Sequence, residues 1–197
     1  MAVEAGARAS ERTWFDRSAV DVARDLLGAR IVHGEVAGRI VEVEAYAGPE
    51  DLASHAARGH TPRNHVMFGP PGHLYVYLVY GLHHCINVVT GPGTKPEAVL
   101  IRALEIERGR PLARARRGPR PSDRALASGP GNVAKVLAID RSQDGIDLLD
   151  GPVRIERRHC PAPRMASGPR VGVGYAGAWA ARRMRFWCAD DPHVSRG

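Results

Sequence analysis

The stretch VEVEAYAGPEDLASHAARGHTPRNHVMFGPPGHLYVYLVYGLHHCINVV, Val41 to Val89, decides the fold. It alternates as paired β-strands do, yet it sets carboxylates, tyrosines, histidines and an asparagine where a plain sheet wants apolar residues. Within IVEVEAY, Val41, Val43 and Ala45 form one face, and Glu42, Glu44 and Tyr46 form the other. One face goes to a core; the other offers two carboxylates and a phenol. Such conflicts between local rule and residue choice gather at functional sites, and here they predict a polar-aromatic pocket built on strands.

Outward from this stretch, Ser18 with Asp21 predicts a helix start, followed by the apolar stripe Val20, Val22, Leu26 and Leu27 up to Gly28. Arg30 to His33 and Gly38 to Tyr46 read as strands. The irregular span from Ala47 to Gly72 is long enough to suggest a functional loop. His73 to Tyr80 and His83 to Thr90 read as a hairpin turning near Tyr80, Gly81 and Leu82. Ala98 to Leu104 is a further strand. Residues 108–124 are basic and Pro-interrupted, suggesting a short helix and then a mobile loop. The GPGN turn at Gly129 to Asn132 leads into a helix starting near Asn132. Short strands follow at Val153 to Ile155, Arg170 to Gly174 and Arg183 to Cys188. The expectation is one mixed α/β (α+β) domain over residues 1–197, with a mostly antiparallel, curved β-sheet flanked by helices. About 12 N-terminal residues are expected to be poorly ordered.

Composition narrows the partners. The 197 residues carry a formal charge of +7, with 44% hydrophobic and 25% charged residues, as in an ordinary globular protein. Lys95 and Lys135 are the only lysines, so the basicity is almost all arginine. That balance suits a polyanion, although base composition of the genome produces the same bias. The cysteines, Cys85, Cys160 and Cys188, are scattered, without the spacing of a zinc knuckle or a disulfide framework. No HExxH or Cys/His cluster appears among the nine histidines, so neither metal nor cofactor is expected. No apolar run has the length of a membrane span, and the N-terminus has no signal-peptide character, which suggests a cytoplasmic protein.

Taken in order, VEVEAYAGPED, His55, TPRN, MFGPPGHLYVY, the Tyr80-Gly81 pair with HCIN, LIRALE and RVGVGYAG resemble the alkyladenine (3-methyladenine) DNA glycosylase family, in its bacterial form. The motifs run from the first helix to the C-terminal strands. The resemblance implies a base-excision repair enzyme that flips a damaged purine from double-stranded DNA and hydrolyses its N-glycosidic bond. Glu44 matches the general base, and Arg102 is placed with it in the active site. Tyr46, His55 and Tyr77 match the residues that stack on the base, and Asn87 matches the one that excludes guanine. Tyr80 matches the intercalating tyrosine, with Leu82, His83 and His84 along the groove.

The chemistry is coherent without the family. Breaking a purine–deoxyribose bond develops oxocarbenium-like charge and needs an activated water, which a pocket carboxylate supplies. Glu44 is the candidate and Glu42 its competitor; Asp147 in GIDLLD is a third carboxylate to place. A flipped base regains roughly 1–3 kcal/mol on each aromatic face, and cationic alkylpurines add a cation–π term. A large aromatic on a tight turn, Tyr80, suits a wedge. Asn87 in CINVV and Arg102 in VLIRAL are polar interruptions that serve either the pocket or a structural network. Arg63 and Asn64 of TPRN, and the GPGN turn, are candidates for phosphate contact. Neither lysine sits where a Schiff base would form, so a monofunctional, monomeric enzyme is expected. Two other readings stay open: a non-catalytic binder of damaged DNA, and an unrelated cytosolic hydrolase using Glu42 and Glu44 on a small nucleoside.

Overall fold

The computed structural model describes residues 11–92, 95–158 and 161–195. Helix α1, Ala19–Leu26, begins where Ser18 Oγ accepts from the Asp21 backbone N–H at 3.2 Å. Its Val22, Ala23 and Leu26 are buried against the sheet. Strands β1, Arg30–His33, and β2, Val36–Tyr46, form a tight hairpin. The loop after β2 carries two 3-10 turns, His55–Arg58 and His65–Phe68. Strands β3, Leu74–Val79, and β4, His83–Thr90, make the second hairpin. Then come β5, Glu97–Arg108, α2, Arg110–Arg117, the short β6, Ala127–Ser128, and α3, Pro130–Leu137. Strands β7, Val153–Glu156, β8, Met165–Gly168, and β9, Arg185–Cys188, complete the fold.

The nine strands form one sheet that does not close, with β3-β4-β5-β2-β1-β7 as its main path. β9 adds to β2, β8 to β9 and β6 to β5, and each pairing is antiparallel. Together with the few flanking helices this is the mixed α/β class read from the sequence. β2 and β5 lie in the middle, and their register slips on both sides of Glu42. Ile40 pairs with Leu104, Glu42 with Ala103 and Val43 with Ile101. Irregularities of this kind re-aim side chains, and here they fall where Glu42 and Arg102 meet.

Two expectations are corrected. Arg170 to Gly174 is not a strand: Gly172 has φ +74 and Gly174–Trp179 is a 3-10 segment. The Val-Gly alternation imitated a strand, but Arg170 is drawn sideways into an ion pair and the Val171 N–H leaves the ladder. Residues 108–124 hold the expected short helix, α2, but its last arginines are not free. Arg116 donates to the Val136 carbonyl at 2.6 Å, Arg117 to Leu126 O at 2.8 Å, and Arg114 binds Pro121 O and Asp123. Of the N-terminal residues expected to be poorly ordered, 1–10 lie outside the described residues, as does Cys160, while Glu11 and Arg12 are helical. Cys85 and Cys188 are free thiols.

Candidate active site

β2 carries Glu42 and Glu44 on one side, as the alternation predicts, and both are fully buried. Their surroundings separate them. Glu42 is enclosed by four donors: Arg102 Nε at 2.9 Å, Arg185 Nε at 2.7 Å, and Ser195 N and Oγ at 2.7 and 2.9 Å. It does not line the cavity. Glu44 does, and it accepts from the Tyr46 hydroxyl at 2.9 Å and the Val171 N–H at 2.7 Å, with Arg102 Nη1 at 3.3 Å. Burial pushes the Glu44 carboxyl above its ordinary range, against the opposing pull of Arg102, the Val171 amide and Tyr46. A carboxylate held this way can take a proton from a water in the cavity.

Arg102 thus bridges both carboxylates, one through Nε and one through Nη1. A buried guanidinium demands such partners, so the polar break in VLIRAL has a specific cause.

The cavity holds about 950 Å³. Tyr46, His55 and Tyr77 all line it, with Asn87 and Cys85 on β4. The His55 and Tyr77 rings meet edge-on at 4.5 Å and 69°. Burial, with Arg63 and Arg58 nearby, pulls the His55 pKa down to about 4, so the imidazole is neutral at pH 7. Asn87 Nδ2 donates to the Tyr75 carbonyl at 3.2 Å, which fixes the amide on the cavity wall.

At the rim stands the tip of the β3–β4 hairpin. Tyr80 has φ 51, a left-handed conformation that costs a non-glycine residue about 1–2 kcal/mol, and its side chain is 92% exposed. Leu82 is 77% exposed beside it and His83 is exposed as well. Strain plus an exposed aromatic at a cavity mouth is the pattern of a side chain kept for contact.

Arg63 and Asn64 both line the cavity, and each already has partners within the protein. Asn64 is buried, and its amide is spent inside the loop on His55 O, Gly59 O and Thr61. Arg63 is exposed and donates to Leu78 O at 2.8 Å, with its guanidinium 5.7 Å from the Tyr77 ring centroid. In the GPGN turn, Asn132 Nδ2 caps back onto Ser128 O at 2.6 Å and the helix begins at Pro130, which lines the cavity. Asp147 is bound to Arg12 and does not line the cavity. Neither lysine lines it: Lys95 pairs with Glu97 at 2.8 Å and Lys135 lies exposed on α3.

Three participants were not anticipated. The Val171 amide and the Tyr75 hydroxyl, 2.8 Å from His55 Nδ1, touch residues that were. The third is the pair Arg170–Asp51, whose side chains are wholly buried and joined at 2.8 Å through Nη2. Arg170 also covers one face of Tyr46 at 4.7 Å. Asp51 in GPED and Arg170 in GPRVGVG were visible only as charges within Gly-Pro punctuation. Away from the cavity, Glu105, Asp191 and His193 bring potential ligand atoms within 4.8 Å of one another. Arg39 Nη2, at 2.6 Å from both carboxylates, already supplies the charge they need.

By sequence the chain falls in a class of enzymes, the DNA glycosylases that act on methylated purines. The chain belongs to the methylpurine-DNA glycosylase family, whose model matches residues 13–192. It is 50% identical over 192 residues to a protein of Anaeromyxobacter dehalogenans named "Putative 3-methyladenine DNA glycosylase", covering 94% of this chain and 84% of that one. Proteins of the same name in Streptomyces avermitilis and Methanocella arvoryzae are 46% and 44% identical. Those matches cover 93% and 94% of this chain, and 89% and 94% of theirs.

Proposed function

We propose that this protein is a monofunctional DNA glycosylase that flips an alkylated or deaminated purine out of duplex DNA and hydrolyses its N-glycosidic bond, leaving an abasic site. Its substrate class comprises 3-methyladenine, 7-methylguanine, hypoxanthine and ethenoadenine, and it acts as a cytoplasmic monomer. The observation that carries this reading is Glu44: one buried carboxylate, with a raised pKa, facing a cavity walled by Tyr46, His55 and Tyr77. Glu44 deprotonates the water and offsets the charge on the sugar, and Arg102 positions it.

Tyr46, His55 and Tyr77 stack on the base. A cationic alkylpurine gains a cation–π term on the phenols that adenine does not. Asn87 presents its amide where a guanine amine would collide with it. Tyr80, backed by Leu82 and His83, enters the duplex in place of the flipped nucleotide. The absence of a lysine from the cavity lining supports water, not an enzyme amine, as nucleophile.

The test is single-turnover base release from duplexes carrying hypoxanthine, ethenoadenine or methylated bases, with alkali used to reveal abasic sites. Wild type releases base and strands break only after alkali; Glu44→Gln loses on the order of 10²–10⁴-fold in rate. No release by either protein on any of these duplexes would leave a reader of damage and not an enzyme.

A further inference from the structure

Tyr75 lies in β3 beside His55 and Tyr77, is 1% exposed, and directs its hydroxyl at His55 Nδ1 across 2.8 Å. One hydrogen is shared across that contact, and two arrangements satisfy the distance. Either the phenol donates to Nδ1, which places the imidazole proton on Nε2, or Nδ1–H donates to the phenol oxygen. The second arrangement leaves the phenol hydrogen in need of another acceptor. Among the described residues the hydroxyl has no other hydrogen-bond acceptor, and a buried donor without one costs about 1–3 kcal/mol.

Arg63 favours the first arrangement as well. Its guanidinium, anchored on Leu78 O and set over the Tyr77 ring, acts electrostatically on the Tyr75 hydroxyl. A guanidinium only donates, so its presence favours a phenol with lone pairs on that side and the O–H on His55. Arg58 and Arg63 also oppose a second proton on the ring. The other nitrogen, Nε2, has no protein partner among the described residues and is not sealed off, while His55 lines the cavity.

We propose that Tyr75 and Arg63 are positioning residues that fix His55 as a neutral imidazole protonated on Nε2, a hydrogen-bond donor presented to an acceptor on the flipped nucleotide. The identity of that acceptor rests on the glycosylase reading; the tautomer does not. His55 then does more than offer a flat surface. It rewards a ring nitrogen or carbonyl on the base edge, or an oxygen of the adjoining sugar-phosphate.

Histidine-labelled protein at neutral pH reports the tautomer directly through long-range proton–nitrogen correlations, with His55→Gln assigning the signals. Wild type should show the proton on Nε2. Tyr75→Phe, which keeps the ring and removes the O–H, should move the Nδ1 nitrogen shift from the hydrogen-bonded toward the free range, and Arg63→Met should move it the same way. Tyr75→Phe should also slow hypoxanthine release about tenfold, the effect of one hydrogen bond. If the acceptor is on the base, Tyr75→Phe leaves affinity for a duplex with a tetrahydrofuran abasic analogue unchanged; if on the backbone, it weakens that affinity too. An Nδ1–H signal in wild type, or an Nδ1 shift indifferent to Tyr75→Phe, overturns the proposal. A clear Nε2–H signal in a protein that releases no base would support the relay and sink the glycosylase reading.

Discussion

Glu44 is held where ionisation is costly, and that cost has a measurable sign. Its folded-state pKa is raised above the unfolded value, so the native state binds this proton more tightly. The stability it lends is fully present below the unfolded pKa and is lost as pH rises through the folded one. Glu44→Gln should therefore equal or exceed wild type in thermal stability at pH 7, with an advantage that shrinks on acidification, while base release collapses. A marked drop in Tm at pH 7 would show that the ionised carboxylate holds the fold together. The same shift moves the acid limb of the rate profile above the ordinary carboxylate range, with activity rising as pH rises. At this scale the sequence was legible where a polar residue interrupts an apolar pattern: Glu44, Asn87 and Arg102 all stand on or beside the cavity wall. It was not legible where the partner is a backbone group, as with Val171 N–H, or where a tyrosine in a strand looks like core, as Tyr75 does.

Among the elements, the segment from Arg170 through the 3-10 turn Gly174–Trp179 depends on one buried pair. Asp51 accepts from Arg170 and from the Ala47 and Ala53 amides at 3.1 Å, so it also shapes the loop that carries His55. Asp51→Ala leaves a guanidinium buried without its counter-ion, at a cost of about 3–5 kcal/mol. A fall in Tm of about 10 °C and slower base release should appear together, because the Val171 amide loses its hold beside Glu44. An unchanged Tm would refute the link. The hairpin tip predicts the opposite separation. Tyr80→Gly relieves the left-handed backbone and should leave Tm equal or slightly higher, while affinity for lesion duplexes falls. The hairpins and the long loop could be read from alternation and Gly-Pro punctuation. Arg170 to Gly174 could not, since Val-Gly-Val-Gly fits a strand until a distant aspartate claims the arginine.

For the whole molecule, the charge of +7 overstates what is free to meet DNA. Arg116 and Arg117 donate to backbone carbonyls that tie α2 to its neighbours. Arg116→Gln should thus lower Tm without reducing the slope of log affinity against log salt, whereas an arginine that binds a phosphate lowers that slope by about one unit. A reduced slope for Arg116→Gln would place α2 against the duplex. Net charge was legible at once; its division between interior bonds and surface was not, because side-chain commitments depend on tertiary neighbours. The bonds of Ser195 to Glu42 span 153 positions of chain. Without Ser195, Glu42 keeps only its two arginine donors. Loss of those bonds would be felt at the centre of the sheet, in the strand that bears Glu44.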